Sequence, residues 1–293
     1  MIQGRDEDEG CCCGGHEHDA SEDCGCGSHE GGCCGDHEGH GDGCGGHGHE
    51  GGHSHEGGCC GHHGGGCCGG GCGHNASDDQ IRMFIVGPIE TDCYAYVSEG
   101  ECLVVDPGNS GAAIARHLED VRVTTIVATH GHGDHVGGVK ALRDATGARF
   151  LMHEADVELA GRAGEASELG RSYDDDAPEP DQTIADGDVI ELGTASFRVI
   201  GAPGHTPGGI VLLGQGTADG VAFVGDTLFK GSCGRTDLAG GDHDALMATL
   251  ARLREEIPAR TTLFCGHGDS TTMMEELEGN PWLQPGAASD GMH

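Results

Sequence analysis

The sequence predicts an α+β chain. A disordered tail precedes an αββα sandwich, in which two mixed sheets pack face to face with helices outside. Two observations predict it. Over residues 81–152 strand patterns alternate with helical ones, and over 188–225 the pattern is almost wholly β before a last helix and strand. Such an order is satisfied by two layers of sheet whose outer faces are covered by helices. By contrast, residues 1–74 contain no Phe, Tyr or Trp, and Ile2 is their only large aliphatic residue. A segment of that kind cannot bury enough apolar surface to offset the entropy of ordering it.

Each element follows from its own pattern. Residues 75–80 are a polar junction, and the folded domain is expected over 81–293, starting with a strand at 81–86. Apolar runs at 94–97 and 102–105 read as a hairpin closed by Ser98-Glu99-Gly100. Ser110 is placed to cap a helix over 111–119, where Ile114 and Leu118 fall four apart on one face. Residues 124–128 read as a buried strand, 136–145 as a helix, and 148–152 as a strand. The stretch 161–182 is rich in Gly, Asp and Pro and reads as an exposed loop. Strands near 188–192, 195–200, 209–213 and 221–225 follow, then a helix over 243–256 and a strand at 261–265.

The tail holds 13 of the 17 cysteines, 12 of the 21 histidines and 27 of the 58 glycines. His29-Glu-Gly-Gly-Cys-Cys-Gly35 recurs as His55-Glu-Gly-Gly-Cys-Cys-Gly61, among further vicinal cysteines and His-x-His pairs. Thiolate and imidazole enriched together predict a multidentate chelator that carries extra metal, without the fixed spacing of a zinc finger. Dense cysteine of this kind is metal-binding where thiols stay reduced, and the acidic start lacks the apolar core of a secretory signal; the predicted location is the cytoplasm. No run approaches the roughly 18 apolar residues of a membrane span. A formal net charge of −35 disfavours nucleic acid and anionic membrane as partners. The composition leaves the oligomeric state open.

The chemistry lies in the second half. His130, His132, Asp134 and His135 fall within Thr129-His-Gly-His-Gly-Asp-His-Val-Gly-Gly138. A helix would scatter such a set, whereas a tight glycine-containing loop can aim all four at one point. His205, Asp226 and His267 each follow a short apolar run that reads as a strand, so the ends of strands converge on one edge. Imidazole and carboxylate are natural ligands for Zn²⁺ and similar divalent ions.

These runs, with Gly204-His205-Thr-Pro-Gly208, Gly225-Asp226-Thr-Leu-Phe229, Gly234-Arg-Thr-Asp-Leu238, Gly240-Gly-Asp242, Gly266-His267-Gly268 and Asn280-Pro-Trp-Leu283, resemble the metallo-β-lactamase fold superfamily. Within it the chain looks like the short glyoxalase II-like hydrolases, over roughly residues 81–284. The resemblance implies one ion on His130, His132 and His205, a second on Asp134, His135 and His267, and Asp226 between them. Asp226 and Asp134 are then the carboxylates assigned to catalysis. It implies two divalent ions, zinc first with iron or manganese as alternatives, and metal-bound hydroxide attacking the acyl carbon of a small-thiol thioester. Arg235 is the implied contact to the substrate, with an ion pair to Asp237 as the plainer alternative. Asp106, in an Asp-Pro-Gly turn, would orient a ligand histidine, while Thr206 and Thr227 offer hydroxyls nearby. Classical glyoxalase II has a C-terminal helical domain that this chain is expected to lack. The iron-dependent persulfide dioxygenases share the Gly-Arg-Thr-Asp run and are the alternative activity; a non-enzymatic metal store is the alternative outside catalysis.

Overall fold

The computed structural model describes residues 79–164 and 173–284. The tail predicted to chelate metal, most of the junction, residues 165–172 of the predicted loop and the residues after Gln284 lie outside it. The first sheet has the order β1 (Gln80–Val86), β2 (Thr91–Ser98), β3 (Glu101–Val105), β4 (Arg122–Val127), β5 (Arg149–Met152) and β6 (Gln182–Thr183). Its first three strands pair antiparallel and its last four run parallel. Helices α1 (Gly111–His117), α2 (Gly133–Val136), α3 (Val139–Thr146) and α4 (Val157–Ala160) lie in the connections between β3 and β6.

The second sheet contains β7 (Val189–Leu192), β8 (Ala195–Gly201), β9 (Ile210–Gly216), β10 (Val221–Gly225), β13 (Thr262–Cys265) and β14 (Thr271–Thr272). Its order is β14-β13-β10-β9-β8-β7, antiparallel except for the parallel pair β10–β13. A two-strand ribbon, β11 (Leu228–Phe229) with β12 (Ser232–Cys233), follows β10. Helices α5 (His243–Glu256) and α6 (Met273–Gly279) follow, and a single 3-10 turn covers Pro281–Leu283.

Strand periodicity explains why β2 is buried at every position. Side chains alternate between faces, and both faces of this strand are covered. Cys93, Ala95 and Val97 face a layer with Ile114 of α1 and Leu142 of α3, while Tyr94 and Tyr96 face Phe197 and Phe223 of the other sheet. A third layer joins Val211, Ala222 and Leu263 to Leu246, Leu250 and Leu253 of α5. Those three leucines share one helical face, and burying each stabilises the fold by about 1.5–3 kcal/mol. The three apolar layers are those of the αββα sandwich.

Local chemistry altered several boundaries. Ser110 stands at the N-terminus of α1 but does not cap it: its φ is 59° and it makes no side-chain cap bond. Its hydroxyl donates to Asn109 Oδ1 instead, and its N–H donates to Asp174 Oδ2. The helix expected over 136–145 begins only at Val139, as α3, and Val136 instead closes α2, because at Gly138 the backbone N–H turns to Pro107 O (2.8 Å). A Cβ at Gly138 would meet the same oxygen at 2.7 Å. The helix over 243–256 has the expected limits, with Asp242 accepting from Ala245 N. The ribbon, β14 and α6 were not expected from the sequence.

Candidate metal centre

Four strand ends deliver the seven residues. His130 follows β4, His205 follows β8, Asp226 directly follows β10, and His267 follows β13. Because β10 and β13 run parallel, Asp226 and His267 leave the sheet at the same end, where Gly266 N donates to Gly225 O (2.9 Å). The expected single loop is half helix: His132 stands at the N-terminus of α2, and Asp134 and His135 form its first turn. A helical turn serves here because these two residues are adjacent, whereas His130 and His132 need the extended chain before it. Gly266 must lack a side chain, since a Cβ would lie 2.2 Å from Asp226 Oδ1 and 2.7 Å from His135 Cε1.

The donors sort into overlapping groups: His130, His132 and His205; His130, His135 and Asp226; and Asp134, His135 and His267. Within each group the ligand atoms lie within 4.8 Å of one another. His132 Nδ1 is 2.9 Å from His205 Nε2, and His267 Nε2 is 3.1 Å from Asp134 Oδ2. Asp226 touches both sides, with Oδ1 3.4 Å from His135 Nε2 and Oδ2 3.6 Å from both His205 Nε2 and His267 Nε2.

The second nitrogens are held from behind. His135 Nδ1 meets Asp106 Oδ2 (2.9 Å), His205 Nδ1 meets the Arg235 carbonyl (2.8 Å), and His130 Nδ1 meets Thr129 Oγ1 (3.1 Å). Fixing one ring nitrogen selects the tautomer that presents the other. Asp106 therefore fills both roles weighed for it. It is buried in a turn at φ 53°, and it also accepts from Thr129 N and Thr129 Oγ1.

This donor set fits a pair of divalent cations. His130 Nε2, His135 Nε2 and Asp226 Oδ1 are buried without a hydrogen-bond partner, an arrangement native proteins seldom leave uncompensated. Burial, then the neighbouring His135, holds the His130 pKa well below its ordinary value. Burial, then His205, pushes His132 down to about 4. Both shifts favour the neutral imidazole that binds a cation. Burial opposes charge on His135, yet Asp134, Asp226 and Asp106 together raise its pKa well above normal. Burial likewise opposes ionisation of Asp134 and Asp226, but the histidines around them, His135 first, leave both pKa values lowered. Three carboxylates around one imidazole are an excess of negative charge that cations would balance.

His132, Asp134, His205, Asp226 and His267 line one cavity of about 630 Å³, together with apolar Ile89, Leu159, Tyr173, Phe229 and Leu238. Arg235 lines it too, and its guanidinium grips Asp237 through two 2.7 Å bonds. Lys230 pairs with Asp269 (3.3 Å). Cys233 lines the cavity, but burial pushes its thiol up to about 11, which disfavours the thiolate at neutral pH. Thr206 Oγ1 is buried and makes no hydrogen bond. Sequence reasoning missed Thr91, whose hydroxyl donates to Asp134 Oδ2 (3.2 Å). A polar Thr91-Asp92 pair opening an apolar strand was the available signal.

Comparisons with known proteins identify the family. The family model described as the metallo-beta-lactamase superfamily matches residues 86–267. A protein of Aquifex aeolicus (strain VF5) is 40% identical over 207 residues, covering 69% of this chain and 96% of the relative. The hydroxyacylglutathione hydrolase GloC of Haemophilus influenzae (strain ATCC 51907) is 31% identical over 208 residues, 69% of this chain and 97% of its own. Among solved structures, the BLEG-1 B3 metallo-beta-lactamase superposes with a TM-score of 0.65 at 32% identity, covering 70% of this chain and all of that one. TTHA1623 in a di-iron-bound form gives 0.62 at 31%, covering 69% and 100%. With the αββα fold, the His and Asp runs at the strand ends and these matches together, the chain belongs to the metallo-β-lactamase superfamily, among homologues of glyoxalase II.

Proposed function

We propose that the chain is a binuclear metal-dependent hydrolase acting on an acyl thioester of a small thiol. One ion would be held by His130, His132 and His205, the other by Asp134, His135 and His267, with Asp226 shared. When bound, such ions acidify a water and polarise a carbonyl, so that hydrolysis proceeds near neutral pH. The observation that carries this reading is the shared position of Asp226, whose carboxylate oxygens approach a histidine of each set within 3.4–3.6 Å.

The chain's own groups do the remaining work. Asp106, Thr129 and the Arg235 carbonyl hold the rings from behind, so that little reorganisation is needed when substrate arrives. A cavity of about 630 Å³ is of the size that takes a small ligand, and its apolar wall excludes water around the acyl group. Arg235, which lines this cavity and bonds Asp237, would take a substrate carboxylate in exchange for Asp237. The thioester reading is also supported by the likeness to the Haemophilus hydroxyacylglutathione hydrolase. Zinc is the proposed ion, and iron is tested beside it because of the di-iron relative. We also propose that residues 1–74 bind further metal through Cys and His, and that the protein works in the reducing cytoplasm. Among the described residues, no helix is long and apolar enough to cross a membrane.

The test is a panel of substrates given to the zinc-loaded and iron-loaded chain: a glutathione thioester, a β-lactam, a phosphodiester, and a thiol persulfide with oxygen uptake recorded. Thioester cleavage well above the other activities is expected. Oxygen uptake without thioester cleavage selects the dioxygenase, and no turnover of any kind selects the metal store.

A further inference from the structure

The first proposed ion depends on two segments that are far apart in sequence, the loop of His130 and His132 and the loop of His205. Their joint placement sets the 2.9 Å separation of His132 Nδ1 from His205 Nε2. A third segment reaches both. Asp156, in the single turn before α4, is fully buried and makes no contact with the cavity. Its Oδ2 accepts from Gly131 N (2.9 Å), the residue between the two histidines, and its Oδ1 accepts from Gly208 N (2.7 Å), the residue closing the His205 loop. The packing is as close as the bonding. A Cβ on Gly131 would stand 2.7 Å from the Asp156 carbonyl oxygen, and one on Gly208 would stand 2.7 Å from Asp156 Cγ.

Resting on the metal-site reading above, we propose that Asp156 is the positioning residue of the first ion. It clamps the two ligand loops together with one oxygen on each. A carboxylate suits this place because both loops present N–H groups, and only a side chain with two acceptor oxygens satisfies both. An amide of the same shape must turn its NH₂ toward one of the two N–H groups. A buried carboxylate is costly unless fully hydrogen-bonded, so the two backbone bonds explain how it is kept and the loop geometry explains what it does. The second set, Asp134, His135 and His267, does not pass through this clamp.

The test uses the full chain and its variants Asp156→Asn, His132→Ala and Asp156→Asn/His132→Ala, equilibrated across a buffered Zn²⁺ series. Zinc retained per chain is measured by mass spectrometry; the tail is common to all four and cancels in the differences. Asp156→Asn is expected to raise the Zn²⁺ concentration needed to fill one domain ion by about 10–100-fold, as supporting groups behind metal ligands typically do. Its metal-free melting temperature should stay close to the parent's. Added to His132→Ala, which already lacks that ion, Asp156→Asn should have no further effect on zinc. Unchanged zinc retention in Asp156→Asn overturns the inference, as does an equal further loss in the His132→Ala background, which marks a general structural role. If His132→Ala itself retains all its zinc, the metal-site reading fails, and the clamp with it.

Discussion

Asp106 Oδ2 lies 2.9 Å from His135 Nδ1, while Asp106 also receives the Thr129 hydroxyl and N–H. One buried carboxylate thus ties His135, a ligand of the proposed second ion, to the strand end that delivers His130. Asp106→Asn tolerates the φ of 53°, because Asn accepts left-handed backbone, but loses the charge and one acceptor. It should weaken zinc retention by about 10–100-fold in a chelator competition. Asp106→Ala should do the same and also lower the melting temperature.

Cys102 is fully buried on β3, and burial pushes its thiol up to about 12. The unfolded thiol ionises near 8.5. Above that value the folded state holds a proton that the unfolded state has lost, so stability falls as pH rises between the two. Mass-mapped alkylation of the full chain at pH 8–9 should therefore leave Cys102 unmodified while the tail thiols react. Rapid labelling of Cys102 in the folded chain would contradict its burial.

Arg235 is held by Asp237 in an exposed pair, and exposed pairs add little stability. Arg235→Ala should raise KM for an anionic thioester several-fold and change kcat by less than about twofold, the signature of ground-state binding. The His205 contact is to the Arg235 main chain and survives the substitution. A change confined to melting temperature would return Arg235 to a purely local ion pair.

Residues 1–74 should be separable from catalysis. Deleting them should leave kcat/KM of the metal-loaded domain within about twofold and lower the extra metal bound per chain. Both forms must be fully loaded, since the tail's thiolates compete for soft ions. An inactive loaded domain would make the tail part of the catalytic structure. A synthetic tail that binds no zinc under reducing conditions would end the chelator reading.

Much of this was legible in the sequence because the donors sit in short runs tied to strand ends. His130, Asp226 and His267 each follow an apolar segment, and strand ends in one sheet share an edge. The helix expected over 243–256 has those limits in the structure. Ser110 misled because a capping side chain is judged by type, while the cap bond needs extended backbone that the left-handed Ser110 does not have. The break at Gly138 depends on Pro107, 31 residues earlier, and no local pattern reports such a contact. Asp156 was invisible for the same reason: its partners lie 25 and 52 residues away.

The most direct test of the central claim is glutathione-thioester hydrolysis by the zinc-loaded chain and by Asp226→Ala, measured with zinc content on the same samples. The account predicts that Asp226→Ala stays folded, loses bound zinc and falls in kcat/KM by about a thousandfold or more, as expected when the ligand shared by two ions is removed. Equal turnover by parent and variant, or no thioester cleavage by the fully loaded parent, would contradict it.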